Sequence, residues 1–281
     1  DNYPFRPQDH GYQEVLIHGG GGVAQMPDYW NNDYFNDTYF HNGKPEKYEG
    51  FCTDVWFEEA TKWIGKCREA GDPFFAYIAT NAPHGPLWVP GNYREPYSGK
   101  VEDDEASFFG MIACIDENMA RLDSFLRETG LAENTILIFM TDNGTATGEN
   151  VFNAGMRGKK TSLYDGGHRV PFYLRWPEKR HGGRDVDDLS RSTDVLPTLI
   201  DLCDLDIDDG LEFDGISLGT VIRNEAKEIP DRMSVVQYGH INENIKFGKT
   251  GKYGAAILWK KWRLVDGTEL YDTADDPGQA R

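Results

Sequence analysis

The hydrophobic positions along this chain change their spacing several times, and each spacing predicts a different element. Apolar residues recur every three or four positions in 52–70 and again in 102–130, which predicts two amphipathic helices. We expect the side chain of Thr53 or Asp54 to cap the start of the first helix. Short apolar runs at 74–80, 135–140 and 170–176 predict buried strands. Strand, helix and strand at this spacing indicate an α/β fold with a mostly parallel or mixed central sheet flanked by helices.

The end of the chain has a different pattern. An acidic, glycine-bearing stretch at 204–215 predicts a loop and a domain boundary. We therefore expect a larger α/β domain over 1–210 and a small C-terminal α+β subdomain over 211–281. Three segments with partial alternation predict a small antiparallel sheet that leads to a final ELYD sequence: 234–238, 255–259 and 262–265.

Composition limits the classes of partner. The 281 residues include 47 Asp and Glu against 29 Lys and Arg, for a formal net charge of -18. Such an acidic surface argues against nucleic acid and against an anionic membrane as partners. No apolar run approaches the roughly 20 residues that a membrane span requires, and the first residues do not have a signal-peptide pattern. The four cysteines show no CxxC spacing and are expected to be small core residues.

The densest chemistry follows the apolar run at 135–140. Asp142 and Asn143 offer hard oxygen ligands at the carboxyl end of a buried strand, which suits a cation such as Ca²⁺. A loop then brings in Arg157 and two adjacent lysines, Lys159 and Lys160, so the implied ligand is an anion held between a metal and a lysine. The alternative is that Asp-Asn-Gly forms only a tight turn.

The spacing of TDNG, then GKK, then YDGGHRVPF resembles that of the sulfatase family, of the arylsulfatase-like type in the alkaline phosphatase superfamily. The resemblance places Asp142 and Asn143 on calcium ligands of the family, and Lys160, four residues before Tyr164, on its sulfate-binding lysine. Lys159, one residue earlier, is the alternative. Two further expectations concern the same segment: Gly166 and Gly167 form a turn that no side chain would permit, and Arg169 is a buried buttress.

Two histidines are candidate substrate contacts. The sequence NAPHGPLWVP after the run at 74–80 resembles the family's segment in this position, which implies that His84 contacts the sulfate ester near the leaving oxygen and assists catalysis as a proton donor. The alternative is a structural histidine. His18, before four glycines, could face the substrate or anchor its loop. The aromatic-rich stretch 29–48 suits either a sugar-binding surface or simple packing.

The resemblance covers nearly the whole chain but only the later part of the family's sequence. No Cys/Ser-x-Pro/Ala-x-Arg motif occurs, and no pair of adjacent aspartates precedes the matching segments. In the family, that motif yields the formylglycine nucleophile and the aspartates complete the calcium site. We expect these parts in a missing N-terminal segment, so this chain alone should be inactive, as a piece of a larger sulfatase or of a broken gene.

For the intact enzyme, the resemblance implies hydrolysis of sulfate esters of carbohydrate or aryl substrates with Ca²⁺ and formylglycine, and a periplasmic or extracellular location in a bacterium. Three alternatives remain. A phosphoesterase of the same superfamily would share the fold but tends to have His where Asn143 stands. A non-catalytic module that binds sulfated glycans would explain the aromatic stretch, and a structural relic would bind neither calcium nor sulfate.

Overall fold

The computed structural model describes residues 4–19, 33–177, 182–208, 210–237 and 254–281. The chain divides by its contacts into two compact units, Asp1–Leu131 and Ala132–Arg281. The domain division expected near residue 210 stays a prediction. Among the described residues, no helix combines the length and the apolar character that crossing a bilayer requires.

The described residues of the first unit form a small antiparallel sheet and three α-helices. The sheet has the strand order β1-β2-β3, with neighbouring strands antiparallel. Its strands are β1 (Leu16–Ile17), β2 (Thr38–His41) and β3 (Lys44–Lys47). The helices are α1 (Cys52–Ala70), the short α2 (Gly91–Arg94) and the long α3 (Asp103–Glu128).

Helix α1 confirms the helix predicted at 52–70. It ends at Gly71, whose φ of 75° lies in the left-handed region that glycine adopts without strain. The expected side-chain cap at Thr53 or Asp54 is wrong, because both residues lie inside the helix. The helix begins after Phe51, which makes no capping hydrogen bond from its side chain.

Helix α3 confirms the second predicted helix and packs against α1. Its acidic start forms a capping box, in which the side chains of Glu102 and Glu105 accept hydrogen bonds from backbone N–H groups of the first turn. Asn118 is buried in the contact and donates a hydrogen bond to Asp54 of α1 at 2.8 Å. A polar contact inside this helix pair therefore fixes how the two helices face each other.

The strand predicted at 74–80 is not formed in the described structure. The segment alternates between half-buried and exposed residues, with Phe75 at 58% and Tyr77 at 73% exposure, and has no strand assignment. The physical reason is that a strand needs a neighbour to accept and donate its ladder hydrogen bonds, and no described strand pairs with this segment. The parallel layer expected through this segment is therefore absent from the described residues.

The second unit begins with a two-stranded antiparallel sheet of β4 (Leu137–Met140) and β5 (Phe172–Arg175). Met140 pairs with Phe172, so residues 141–171 leave and re-enter the sheet at the same end. This excursion contains the short helix α4 (Asp165–His168) and every candidate site residue of the second unit. The two apolar runs form strands as predicted, but the expected burial is wrong, because β4 is half-buried throughout and Tyr173 of β5 is exposed.

The remainder of the second unit confirms the mixed α/β class and the small antiparallel C-terminal sheet. The helices are α5 (Val195–Leu202) and α6 (Gly219–Ile222). The sheet has the order β6-β7-β8-β9, formed by Met233–Gln237, Ala255–Trp259, Trp262–Val265 and Glu269–Asp272. Tyr238, predicted to end the first of these strands, lies outside the described residues. Leu163 and Tyr164 from the excursion pack against the buried face of this sheet.

Candidate functional site

The first candidate pair of ligands lies where β4 leaves its sheet. Asp142 and Asn143 follow Met140, the last residue of β4, after a single intervening threonine. Their side chains face each other, because the amide nitrogen of Asn143 donates a hydrogen bond to a carboxylate oxygen of Asp142. Asp142 is exposed and Asn143 is half-buried, so the carboxylate is accessible to a cation from solvent.

This pair suits a calcium ion as part of a site. A carboxylate and an amide supply the oxygen ligands that Ca²⁺ prefers, but the ion takes about six to eight of them. In the described part of the chain, no group of three or more His, Cys, Asp or Glu side chains is arranged to hold a metal. The donor chemistry of Asp142 and Asn143 fits calcium, and their role as its ligands stays a prediction.

The two adjacent lysines differ in their surroundings. Lys159 forms an ion pair with Glu149. Lys160 is half-buried, and among the described residues its amine makes no ion pair and no hydrogen bond. Its backbone N–H donates to the carbonyl of Thr145 at 2.7 Å, which fixes it beside the Asp-Asn turn. The ion pair of Lys159 favours Lys160 as the lysine available to an anion.

The backbone after Lys160 is in an uncommon conformation. Thr161 has a φ of 77°, in the left-handed region that β-branched residues rarely adopt. Such a conformation costs roughly 1–3 kcal/mol and persists only where the surrounding structure enforces it, most often at functional sites. We call residues 157–164, which contain both lysines and this strained residue, the lysine loop.

Close contact between backbones explains the glycines around the lysine loop. The N–H of Gly144 donates to the carbonyl of Gly167 at 3.0 Å. A Cβ on Gly144 would lie 1.9 Å from the carbonyl oxygen of Gly166, and one on Gly166 would lie 2.2 Å from that of Gly158. The interpretation of Gly166 and Gly167 as an unusual turn needs correction, since both lie in α4 and neither has a positive φ. Glycine is needed at both positions because neighbouring backbone atoms leave no room for a Cβ.

Helix α4 is tied to the C-terminal sheet by a buried ion pair. The Asp165 carboxylate accepts a hydrogen bond from Arg263 of β8 at 3.0 Å, and the Asp165 N–H donates to the side chain of Gln279 at 2.8 Å. Burial lowers the pKa of His168 in the same helix. Arg169 was expected to be a buried buttress, but it is exposed. Arg263 takes the buried position because it is the cation that neutralises Asp165.

His84 lies in the first unit, on the loop after 74–80. The backbone N–H of His84 donates to the carbonyl of Asn81 at 2.9 Å, and its backbone carbonyl accepts from the hydroxyl of Tyr34 at 2.9 Å. The ring Nδ1 lies 2.8 Å from the carbonyl oxygen of Gly85. Because a carbonyl only accepts, Nδ1 carries a proton, and a proton-donor role would fall to Nε2. The imidazole is exposed.

The sequence did not predict the side-chain contacts of Asn81, which hold the His84 loop against α1. The side-chain oxygen of Asn81 accepts from Trp56 at 3.0 Å and from the thiol of Cys52 at 3.2 Å, both on α1. Burial raises the pKa of the Cys52 thiol to about 12, which keeps it protonated as a donor. No local pattern signals this contact, since the Asn81 side chain lies 25 residues along the chain from Trp56 and 29 from Cys52.

The remaining candidates also belong to the first unit. His18 directly follows β1 and is half-buried, and its role stays a prediction. The aromatic stretch 29–48 is described from residue 33 onward. There Tyr34 and Tyr39 are buried, and the Tyr39 ring lies 4.5 Å from that of Trp56 between centroids. These contacts favour the packing interpretation for the described aromatic residues. Asp142, Asn143 and Lys160 thus come together in one unit, while His18 and His84 belong to the other.

Comparison with protein families gives two matches. The model described as "Sulfatase" matches residues 2–205, and that described as "N-sulphoglucosamine sulphohydrolase, C-terminal" matches residues 156–281. Together they cover the Asp-Asn turn, the lysine loop and the C-terminal sheet.

Similar curated proteins include the uncharacterized sulfatase YdeN of Escherichia coli (strain K12), which is 26% identical over 250 residues, or 86% of this chain and 43% of that protein. The ulvan-active sulfatase of Formosa agariphila is 27% identical over 283 residues, or 90% of this chain and 53% of that protein. This chain spans about half the length of these relatives.

Among solved structures, that of Ps i-CgsB in complex with k-i-k-neocarrahexaose has a TM-score of 0.84 and 23% identity, and covers 100% of this chain and 64% of that chain. The likeness shows the fold and confirms the expected alkaline-phosphatase-like α/β class.

Proposed function

The chain belongs to the sulfatase family, and on that premise we propose that it is the later part of a sulfuric ester hydrolase that acts on sulfated carbohydrate. One observation carries the proposal. Lys160 has no ion-pair partner among the described residues, and its N–H is hydrogen-bonded beside the turn that holds Asp142 and Asn143. A lysine amine without an ion-pair partner, on a backbone held beside this turn, suits an anion whose oxygens contact both the amine and a metal ion.

Each residue has a distinct part in this proposal. Lys160 binds a sulfate oxygen and stabilises the negative charge on the sulfate group during the reaction. Asp142 and Asn143 would hold Ca²⁺, which when bound supplies further positive charge for the sulfate oxygens. His84 donates a proton from Nε2 to the leaving alcohol. This role requires the charged imidazolium, because the Nδ1 proton is engaged with Gly85.

The nucleophile is not among these residues. We propose that a formylglycine and the remaining calcium ligands belong to residues outside this sequence, so the 281-residue chain alone does not turn over sulfate esters. A chromogenic aryl sulfate tests this directly. Measurable release of the phenol by the purified chain, above that of a denatured sample, would contradict the proposal of inactivity.

The substrate class is proposed from the relatives. One is named an ulvan-active sulfatase, and one solved structure of this fold holds an oligosaccharide. Aryl sulfates are the alternative class, since they carry the same sulfate group. A panel of sulfated sugars and aryl sulfates with equal charge, each measured for binding with and without calcium, separates the two classes.

The central test of the proposed function is a comparison of the two lysines. In calorimetric titrations with a sulfated galactose and Ca²⁺, Lys160→Met should weaken binding about ten- to hundredfold, because a charge-assisted hydrogen bond contributes about 1.5–3 kcal/mol. Lys159→Met is the matched control and should change the affinity less than about twofold, since Lys159 is already paired with Glu149. Unchanged binding by Lys160→Met would overturn the role of Lys160. Binding that does not depend on calcium would favour a glycan-binding module.

A further inference from the structure

Arg157 is the centre of a side-chain network that the proposed chemistry does not use. Its guanidinium donates hydrogen bonds to the hydroxyl of Tyr271 in β9 and to the carbonyl of Gln279, both at 2.9 Å. The guanidinium carbon also lies 3.8 Å from the centroid of the Tyr164 ring, within the range of a cation–π contact. One side chain at the start of the lysine loop therefore contacts the end of that loop, strand β9 and the last residues of the chain.

A carboxylate completes the network. Glu269 of β9 accepts hydrogen bonds from Tyr271 and, at 3.0 Å, from Tyr164, and it lies 3.6 Å from a guanidinium nitrogen of Arg157. The hydrogen bonds from Tyr271 and Tyr164 lower the pKa of Glu269. The same carboxylate raises the pKa of Tyr271. Both shifts favour an ionised glutamate and a neutral tyrosine, so the network keeps its charges at neutral pH.

Backbone hydrogen bonds connect the position of Arg157 to that of Lys160. The carbonyl of Arg157 accepts from the N–H of Gly166 at 2.8 Å, and Asn153 donates to the carbonyl of Gly158 at 2.8 Å. Two residues later, the N–H of Lys160 donates to Thr145 at 2.7 Å. The segment that carries the lysines is thus held by the network at one end and by the Asp-Asn turn at the other.

Lys160 needs such an anchor for an electrostatic reason. Its amine has no acidic partner among the described residues, and a metal ion at Asp142 and Asn143 would repel it. A long side chain with no partner retains its rotamer freedom, so the placement of the amine depends on the placement of its backbone. Contacts made by the rest of the loop must supply that placement.

We propose that Arg157 is a positioning residue for Lys160, which it holds beside the Asp-Asn turn by joining the lysine loop to β9 and to Gln279. The inference rests on the proposed function, in which Lys160 binds the sulfate group. It assigns the C-terminal sheet a part in sulfate binding that acts through the lysine loop. A purely structural role of Arg157 makes a different prediction, namely a similar loss of order throughout the second unit.

Amide hydrogen exchange of the whole chain separates these two roles without any ligand. Arg157→Met should speed exchange of the Lys160 amide roughly ten- to hundredfold, because the variant loses two hydrogen bonds and a cation–π contact that hold the loop closed. Amides in the centre of β7 should exchange at their original rates. Arg184→Met is the matched control, since Arg184 donates to the side chain of Asn224 and to the carbonyl of Val221, away from the lysine loop. It should leave the Lys160 amide unchanged.

Equal acceleration at Lys160 and in β7 would overturn the positioning role, and so would no acceleration at Lys160. If Arg157→Met does not fold, Arg157→Lys takes its place. This variant keeps a cation near Tyr164 but cannot make both hydrogen bonds, so the Lys160 amide should exchange faster than in the native chain while the β7 amides do not. Sulfated galactose then tests the function separately. Arg157→Met should weaken its binding in the native background and have no further effect in Lys160→Met. If Lys160→Met binds normally, the proposed function fails, while the exchange data still decide the positioning role.

Discussion

The helix pair of the first unit and the lysine loop of the second are both closely packed, but different contacts hold them. Between α1 and α3, the contact is made by side chains, with Asn118 and Arg121 of α3 donating to the carboxylate of Asp54 at 2.8 and 2.6 Å. Around the lysine loop, glycine backbone packs directly on other backbone, in addition to the side-chain contacts of Arg157, and the loop lacks regular structure. The difference teaches that helical side-chain contacts tolerate some adjustment, whereas a backbone contact leaves no room for a single added carbon.

The sharpest way to break this comparison is to add one methyl group to the glycine contact. In Gly144→Ala, the new Cβ would lie 1.9 Å from the backbone oxygen of Gly166, which cannot swing aside like a side chain. We expect the free energy of unfolding to fall by about 3 kcal/mol or more, as for severe overpacking. Urea denaturation followed by circular dichroism measures it.

The control for this substitution is Gly182→Ala, in the same unit, where an added Cβ would meet no atom of the described residues within 4 Å and φ is not positive. It should change the free energy of unfolding by less than about 0.5 kcal/mol. If both variants were equally stable, the backbone beside the lysine loop would have more freedom than the close contact implies. The positive φ of Thr161 and the presence of Gly144 and Gly166 would then need another explanation.

The corresponding change in the helix pair should be smaller. Asn118→Ala removes the hydrogen bond to Asp54 and the one that Arg121 donates to Asn118, but Arg121 still satisfies the carboxylate. We expect the free energy of unfolding to fall by about 2 kcal/mol, because a buried amide and its hydrogen bonds are lost while the Asp54 carboxylate keeps its hydrogen bond from Arg121.

An exposed ion pair on the same helix provides the control. Arg127→Ala removes the contact of Arg127 with Asp123 and should cost less than about 0.5 kcal/mol. A loss from Asn118→Ala as small as that would mean that apolar contacts alone hold α1 against α3. A loss larger than that of Gly144→Ala would reverse the comparison between the two regions.

The sequence predicted the helices of the first unit better than its strand, for a physical reason. Helix periodicity is a local signal, so α1 and α3 were predicted with bounds close to those observed. The run at 74–80 has the composition of a strand, but composition does not supply the neighbouring strand that must pair with it. The cap of α1 was also mispredicted, since Thr53 and Asp54 are equally acceptable inside a first turn.

The candidate site shows the same limit. The motifs identified Asp142, Asn143 and Lys160, and the structure brings these three together in one unit, but their roles stay predictions. The motif alone left two lysines open, and the pairing of Lys159 with Glu149 distinguishes them. The contact of Arg157 with Tyr271 joins residues 114 positions apart, which no periodicity or spacing can indicate.

The smallest expected effect contrasts one histidine of each unit. His41 of β2 lies between two carboxylates, with Nε2 at 2.7 Å from Glu14 and Nδ1 at 3.0 Å from Glu46. The hydrogen bond with Glu14 raises the pKa of His41 above its ordinary value. His168 of α4 is half-buried, and burial lowers its pKa. The pKa of a histidine in an unfolded chain is about 6.5. The pKa of His41 should lie above this value and that of His168 below it.

The consequences for stability have opposite signs. The folded state binds the His41 proton more tightly than the unfolded state does, so this contribution is complete below about pH 6.5 and is lost as the pH rises through the folded pKa. For His168 the unfolded state binds the proton more tightly, so its contribution is present above about pH 6.5 and is lost as the pH falls through the folded pKa. Ring resonances followed by NMR from acid to neutral pH, assigned with His41→Gln and His168→Gln, measure both values. If the two rings titrated together near pH 6.5, then neither the carboxylates around His41 nor the burial of His168 would contribute to stability as described.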